Sequence, residues 1–350
     1  MMKQYNIGMR FLRAVLAVLP LLAAGTSCNV HELYEASVQQ PVTLKLTFAT
    51  DFTCRAYACE EAELTELGSE PETGAVPDHG YIHYTVRIYP GGGSAAQRDN
   101  FEEITFTREI ASGYDCDYPL SLAPGRYTLC VWSALTSEAD DEPFYNAEDF
   151  SEITLQGDHA GSNAFRDAFR GTTTLALDAR SNGTVATVCR VQMERPLAKY
   201  EFVATDAARF LEQHTSGGNT VSLSDYYALF RYTEFMPCAY NIFSNKPVDS
   251  STGVSFTSEV LPLGTDEASL GFDYVFVNGT ESVVKVQVEL RRKSDGALAA
   301  RTPVIRVPLR RNEHTVLRGE FISDTSAGSA SGGVGIDPGF DDDIDIEIPF

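Results

Sequence analysis

PVTLKLTFAT, residues 41 to 50, is the stretch that decides the fold class. Val42, Leu44, Leu46 and Phe48 fall on one side of an extended chain, and Thr43, Lys45 and Thr47 on the other. Strict alternation is the mark of a strand with one buried face. YIHYTVRIYP (81–90) repeats the pattern with Ile82, Tyr84, Val86 and Ile88, until GGGSAAQRDN breaks it. FEEITFTREI (101–110) is a further predicted strand. In YDCDYPLSLAPGRYTLCVWSAL (114–135) a turn at Pro124-Gly125 leads into a β-rich run over Tyr127 to Trp132, a hairpin-type pattern. SEITLQ (151–156) and TTTLALD (172–178) complete a first set, with acidic surface loops expected at 60–80 and 136–150.

After ARSNGT (179–184) the pattern restarts. VATVCRVQMERPLAKYEFVAT (185–205) reads as two β segments broken at Arg195-Pro196. Only DAARFLEQH (206–214) looks helical, with Asp206 as its N-cap. Strands are expected at 274–277, 283–290, 303–308 and 315–321, with residues 294–297 as a hairpin loop. Many short strands with almost no helix predict an all-β protein of sandwiches. Length allows about two domains, so the expected organisation is a β-sandwich over 41–178 and a second over 179–350.

The N-terminus is of another kind. Lys3, Arg10 and Arg13 precede an eleven-residue apolar run from Ala14 to Ala24, followed by Gly25-Thr26-Ser27-Cys28. A basic start, a short apolar stretch and small residues before a cut describe a secretory signal over residues 1–27. The run is too short to span a bilayer core of about 30 Å. Small residues directly before a cysteine suit a bacterial lipoprotein signal, in which Cys28 carries the lipid; the alternative is ordinary cleavage with Cys28 as a structural thiol. Residues 28–40 then form a polar tether.

Composition excludes some partners. The formal net charge is −22, and no Lys/Arg-rich stripe offers the footprint that phosphate backbones require; nucleic acid and direct adhesion to an anionic membrane are disfavoured alike. Cys54, Cys59, Cys116, Cys130, Cys189 and Cys238 remain after Cys28. Their even number permits disulfides in an exported chain but fixes no pairing; buried thiols are equally compatible. With no CxxC pair and six scattered histidines, no zinc site and no cofactor is expected.

The residues offer no catalytic constellation. No GxSxG elbow, HExxH or papain-like cysteine context occurs. His83 falls on the polar face of its strand and His314 lies beside one, so both read as solvent-facing. Gly91-Gly92-Gly93 lacks the GK[ST] and helix of a phosphate loop. Asn182-Gly183 and Asn278-Gly279 match glycosylation sequons but read as turns. Trp132 and the sixteen tyrosines read as core rather than as a carbohydrate platform.

An ordered set of motifs nevertheless resembles a known group. LAPGRYTLCVWSAL (122–135), FYNAEDFSEITL (144–155) and RDAFRGTTTLAL (166–177) are similar to the N-terminal domain of Bacteroidales fimbrillin-related lipoproteins. MERPLAKYEFVATD (193–206), VPLRRNEHTVLRGEFIS (307–323) and the terminal IDPGFDDDIDIEI resemble its C-terminal domain. The group includes fimbrial anchor subunits and FimA-like shaft subunits. The resemblance implies two transthyretin-like β-sandwiches in series, a non-enzymatic lipid-held outer-membrane protein of the fimbrium, and other fimbrial subunits as partners.

It also implies assembly by strand exchange, in which an extended segment of a neighbour fills a groove. In shaft subunits of that group a protease cuts after an Arg downstream of the lipid cysteine. Here Arg55 is the first arginine after Cys28, and a cut there would remove the Val42–Phe48 strand. The favoured reading of Arg55 is an ordinary strand-end charge, which leaves a retained anchor or accessory subunit; a cleaved shaft subunit is the second. A surface lipoprotein that binds glycan or host protein without polymerising is the alternative from another class.

The tail GVGIDPGFDDDIDIEIPF (333–350) has six acids from Asp337 onward. Their spacing fails the calcium-loop pattern, which needs Gly at position 6 and an acid at 12. Asp337-Pro338-Gly339 reads as a turn, and Ile344, Ile346 and Ile348 as the apolar face of a terminal strand. That strand is a second candidate for exchange, beside Val42, Leu44, Leu46 and Phe48.

Overall fold

The computed structural model describes residues 39–70, 76–91, 99–179, 186–215 and 220–323. The alternating strand over 41–48 is the middle of a three-stranded sheet. It is β1 (Gln40–Phe48), paired in parallel with β11 (Thr187–Met193) and antiparallel with β6 (Cys116–Leu122). A four-stranded sheet faces it, in the order β10 (Ala168–Leu177), β7 (Gly125–Thr136), β4 (Tyr81–Pro90) and β5 (Glu102–Glu109). Side chains from both sheets, among them Leu44, Leu46, Val86, Val131, Phe169 and Val191, make one apolar core. The sheets approach closely at Gly171. A Cβ there would lie 2.4 Å from Val191 and 2.9 Å from the backbone oxygen of Gln192, so only glycine fits.

A six-stranded sheet follows the order β17 (Leu261–Pro262), β18 (Ala268–Phe276), β12 (Leu197–Ala204), β22 (Glu313–Gly319), β2 (Thr53–Glu60) and β3 (Glu63–Glu70). It packs on a sheet of β16 (Ser255–Glu259), β13 (Tyr226–Tyr232), β19 (Glu281–Arg292) and β20 (Leu298–Arg301), in which β21 (Ile305–Arg310) also pairs with β19. The one α-helix among the described residues, α1 (Ala207–His214), seals this core with Phe210. A small sheet, β15 (Lys246–Ser251), β14 (Met236–Asn241), β9 (Ile153–Leu155) and β8 (Tyr145–Asn146), covers the far face of β7. There Trp132, Tyr145, Phe150, Tyr240 and Phe276 form a third core. The run LCVWSAL is apolar without alternation because β7 is buried on both faces.

The all-β sandwich class is borne out. Strand pairing crosses the expected division at 178/179 in both directions: β2 and β3 lie in a sheet built otherwise from later strands, and β11 lies beside β1.

Four local expectations are corrected. Pro124-Gly125 does not close a hairpin: β6 and β7 belong to opposite sheets, so the turn arches across the core. The expected loop at 60–80 contains β3, an edge strand on which Glu63 and Glu66 are exposed; acidic composition marked exposure rather than irregularity. His314 is 3% exposed, not solvent-facing, with Nε2 3.3 Å from Glu201. His83 is half-buried between Thr107 and Thr136, and burial pushes its pKa down. Asn278-Gly279 is a turn, with Gly279 at φ 74°. None of the six cysteines forms a disulfide; five are buried and Cys238 is half-buried.

Candidate functional site

The sequence placed its strand-exchange candidates at β1, and the structure brings those residues together. Val42, Leu44 and Leu46 are at most 1% exposed, beneath the facing sheet. Phe48 is half-buried, its ring edge-on to those of Tyr84, Tyr114 and Phe169 at 5.1–6.1 Å. Opposite them Lys45 is 42% exposed and weakly paired with Asp117 at 3.9 Å. A strand in this position contributes two hydrogen-bond ladders and one row of pockets. Its removal would leave a groove with unpaired backbone on both walls, the chemistry that an extended segment with apolar alternate residues satisfies.

The exit of β1 is clamped. Ala49 N donates to Met193 O at 3.1 Å and Thr53 N to Asn312 O at 3.1 Å. Between them Arg195 acts as a hub. Its guanidinium lies over the rings of Phe52 and Phe169, 3.8 and 4.6 Å from the centroids. Its Nε donates to both oxygens of Asp167 at 2.8–2.9 Å, and its Nη1 to Asn312 Oδ1 at 2.8 Å and Ala49 O at 3.3 Å. Arg195 and Asp167 have fully buried side chains. Burial pushes the Asp167 carboxyl up against the pull of Arg195.

Arg55 is the third residue of β2, a strand paired on both sides, opposite Thr315 and Ser69. Its Nε donates to Glu313 at 2.7 Å and its Nη1 to Glu66 at 2.6 Å, pinning β2 to both neighbours. These bonds, Glu313 first, raise the guanidinium pKa. A cut after Arg55 would sever a strand inside the six-stranded sheet as well as releasing β1. Proteolytic nicking prefers exposed loop tips, whereas Arg55 lies in backbone paired on both sides.

A second buried network joins the loop before β10 to β13 and β18. Asp273 receives Arg166 and Tyr232 OH (2.6 Å) and lies 2.6 Å from His159 Nε2; Tyr200 OH in turn donates to Tyr232 at 2.9 Å. Burial alone would raise the Asp273 carboxyl, but Arg166, His159 and Tyr232 outweigh it and hold the pKa below the ordinary value. Asp206, the expected N-cap, turns its carboxylate elsewhere. It accepts the backbone N–H groups of Phe321, Ile322 and Ser323 at 3.2, 3.1 and 2.6 Å, fixing the chain after β22.

These ion pairs were missed by sequence reasoning, though Arg166 and Asp167 lay in the motif RDAFR and Arg195 in MERPLA. Charged residues flanking β-rich runs were the only signal. Cys28, Ile344, Ile346 and Ile348 lie outside the described residues. Among the described residues no His/Cys/Asp/Glu group is arranged to hold a metal, and no helix is long and apolar enough to cross a membrane.

The family of unknown function DUF6562 matches residues 35–349. The chain belongs to that family. No curated protein matches the chain. Solved structures similar to this member of the family include an adhesin candidate from Bacteroides ovatus, 12% identical over 75% of this chain and 77% of that one, with a TM-score of 0.41. The fimbrial anchor protein Mfa2 from Porphyromonas gingivalis is 12% identical over 75% and 82%, TM-score 0.38. The tip fimbrial protein Mfa3 from the same organism, truncated at its C-terminus, is 11% identical over 81% and 96%, TM-score 0.38. Similarity at this level leaves the functions of those proteins their own.

Proposed function

We propose that the chain is a lipid-anchored surface subunit of a fimbrial assembly, held through Cys28 and retaining β1 as an anchor or accessory component. The observation that carries the retained reading is the clamp on residues 49–55. Arg195 grips the β1–β2 connection, and Arg55 sits in doubly paired backbone. Strand exchange then uses an edge or terminal segment, with Ile344, Ile346 and Ile348 as the donated face, rather than a groove opened at β1. The signal over residues 1–27 and the ordered fimbrillin-like motifs support the surface placement.

The test is a blot of membrane and soluble fractions against a C-terminal epitope, with and without an Arg-specific protease. The retained reading expects an unchanged band in the membrane fraction, moved to the soluble fraction by Cys28→Ala. A product beginning at Ala56 overturns it in favour of a shaft subunit. Negative-stain microscopy of a deletion strain tests the fimbrial class: unaltered fimbriae overturn it in favour of a non-polymerising surface lipoprotein.

A further inference from the structure

In a chain of formal charge −22, one sheet face is cationic. β13, β19 and β21 turn Phe230, Val286 and Val307 inward, so Arg231, Lys285, Arg291 and Arg306 point outward, and Arg301 of β20 stands opposite Glu289. Three guanidinium groups converge on that one carboxylate: Arg291 at 2.7 Å, Arg301 at 2.8 Å and Arg231 at 3.7 Å. The Glu289 side chain is 4% exposed, whereas Arg231 and Arg301 are nearly half exposed. One sunken negative charge thus gathers three positive ones and leaves a surplus, while elsewhere on the face Lys285 pairs with Glu234 and Arg310 with Glu281. Val283 and Leu298, both nearly half exposed, add apolar surface to the patch.

The complementary chemistry lies on the same chain. The β2–β3 hairpin turns at Glu61 and Ala62 and carries Glu60, Glu61 and Glu63 at its exposed tip. β3 is paired on one side only. Leu67 is 57% exposed beside these acids, and together with Glu320 they border an open cleft of about 940 Å³. Acid plus leucine on the hairpin answers arginine plus valine and leucine on the sheet face.

We propose that the outer face of the five-stranded sheet docks the acidic β2–β3 hairpin of a second copy of this chain. The strands of that face are paired with one another, so it offers side chains rather than free backbone. Recognition is by charge, and the contact stands independently of strand exchange. Two different patches make a heterologous contact, which extends as a row unless its rotation closes a ring.

The test measures self-association of the purified full-length chain by sedimentation at low and high salt. The expected result is association that weakens at least about tenfold between about 0.05 and 0.5 M salt, as contacts between exposed charges do. The hairpin variant E60K/E61K/E63K and the face variant R301E/R306E each stay monomeric, and mixing the two restores association, because the unaltered acidic hairpin of the face variant meets the unaltered cationic face of the hairpin variant. Should the face variant fail to fold, the hairpin variant at its exposed turn decides alone. Association insensitive to the hairpin reversal overturns the proposal. So does a wild-type chain that remains monomeric at low salt; its retention on dextran sulfate would then assign the face to a polyanion.

Discussion

Replacing Arg195 by Met keeps most of the side-chain volume and removes the charge. The substitution leaves Asp167 fully buried without its cation, and breaking a buried pair from one side costs about 3–5 kcal/mol. Loss of the stacking on Phe52 and Phe169 adds about 0.5–1 kcal/mol, largely offset by the apolar fit of methionine. The expected loss is about 4 kcal/mol. If Gln39–Phe350 melts as one cooperative unit of about 300 residues, its unfolding entropy of about 0.6 kcal/mol/K converts this to a fall in Tm of about 6–7 °C. A unit half that size would fall about twice as far.

Two controls follow from the same chemistry. Asp167→Asn in the Arg195→Met background removes the stranded charge and should restore about 2 kcal/mol. Without Arg195, burial leaves the Asp167 pKa raised in the folded state. A group of that kind favours the fold below its unfolded pKa and loses that contribution as pH rises through the folded pKa. The deficit of Arg195→Met should therefore shrink as pH falls from neutrality toward the carboxylate range. Differential scanning calorimetry across pH is the assay. A Tm shift under about 1 °C, or a deficit that grows on acidification, would refute the hub.

Leu44→Ala on β1 should cost about 3 kcal/mol by denaturant melting, while Lys45→Ala on its exposed side costs under about 0.5 kcal/mol; equal costs would contradict the assigned face. Asp206→Ala leaves the amides of Phe321, Ile322 and Ser323 without their acceptor, and a loss near 2.7 kcal/mol would exchange them about a hundredfold faster; unchanged protection in hydrogen exchange would reject the clamp. The depressed pKa of Asp273 means that its contribution is present above the unfolded carboxylate pKa and lost as pH falls through the folded one. Stability should drop below about pH 4, and Asp273→Asn, destabilised at neutral pH by its stranded Arg166, should show a shallower acid limb in urea titrations.

What could be read from the sequence was local. Val42, Leu44 and Leu46 declared their face by alternation, and Arg195-Pro196 marked the break at which the chain leaves one sheet for another. The choice of partner was not local. Pro124-Gly125 looks the same whether the strands it joins pair or oppose each other across a core, and nothing near β1 names β11, about 145 residues later, as its parallel neighbour. Glutamates spaced along β3 resembled a loop because an exposed edge strand and a loop both need solvation. The ion pairs were invisible for a further reason: an arginine reads as surface until the chain that buries it is in place, and Arg195 is covered by Phe52 and Phe169 from distant segments.

The central position of β1 has a mechanical consequence. It is held for seven residues by β11 and for seven by β6, on opposite edges. A pull along its axis loads both ladders in shear, so their bonds must yield together rather than unzip one at a time. Resistance to such a load is set by the rate of unfolding rather than by equilibrium stability. The residues ahead of Gln39 thus attach to the protein at a point built to bear tension.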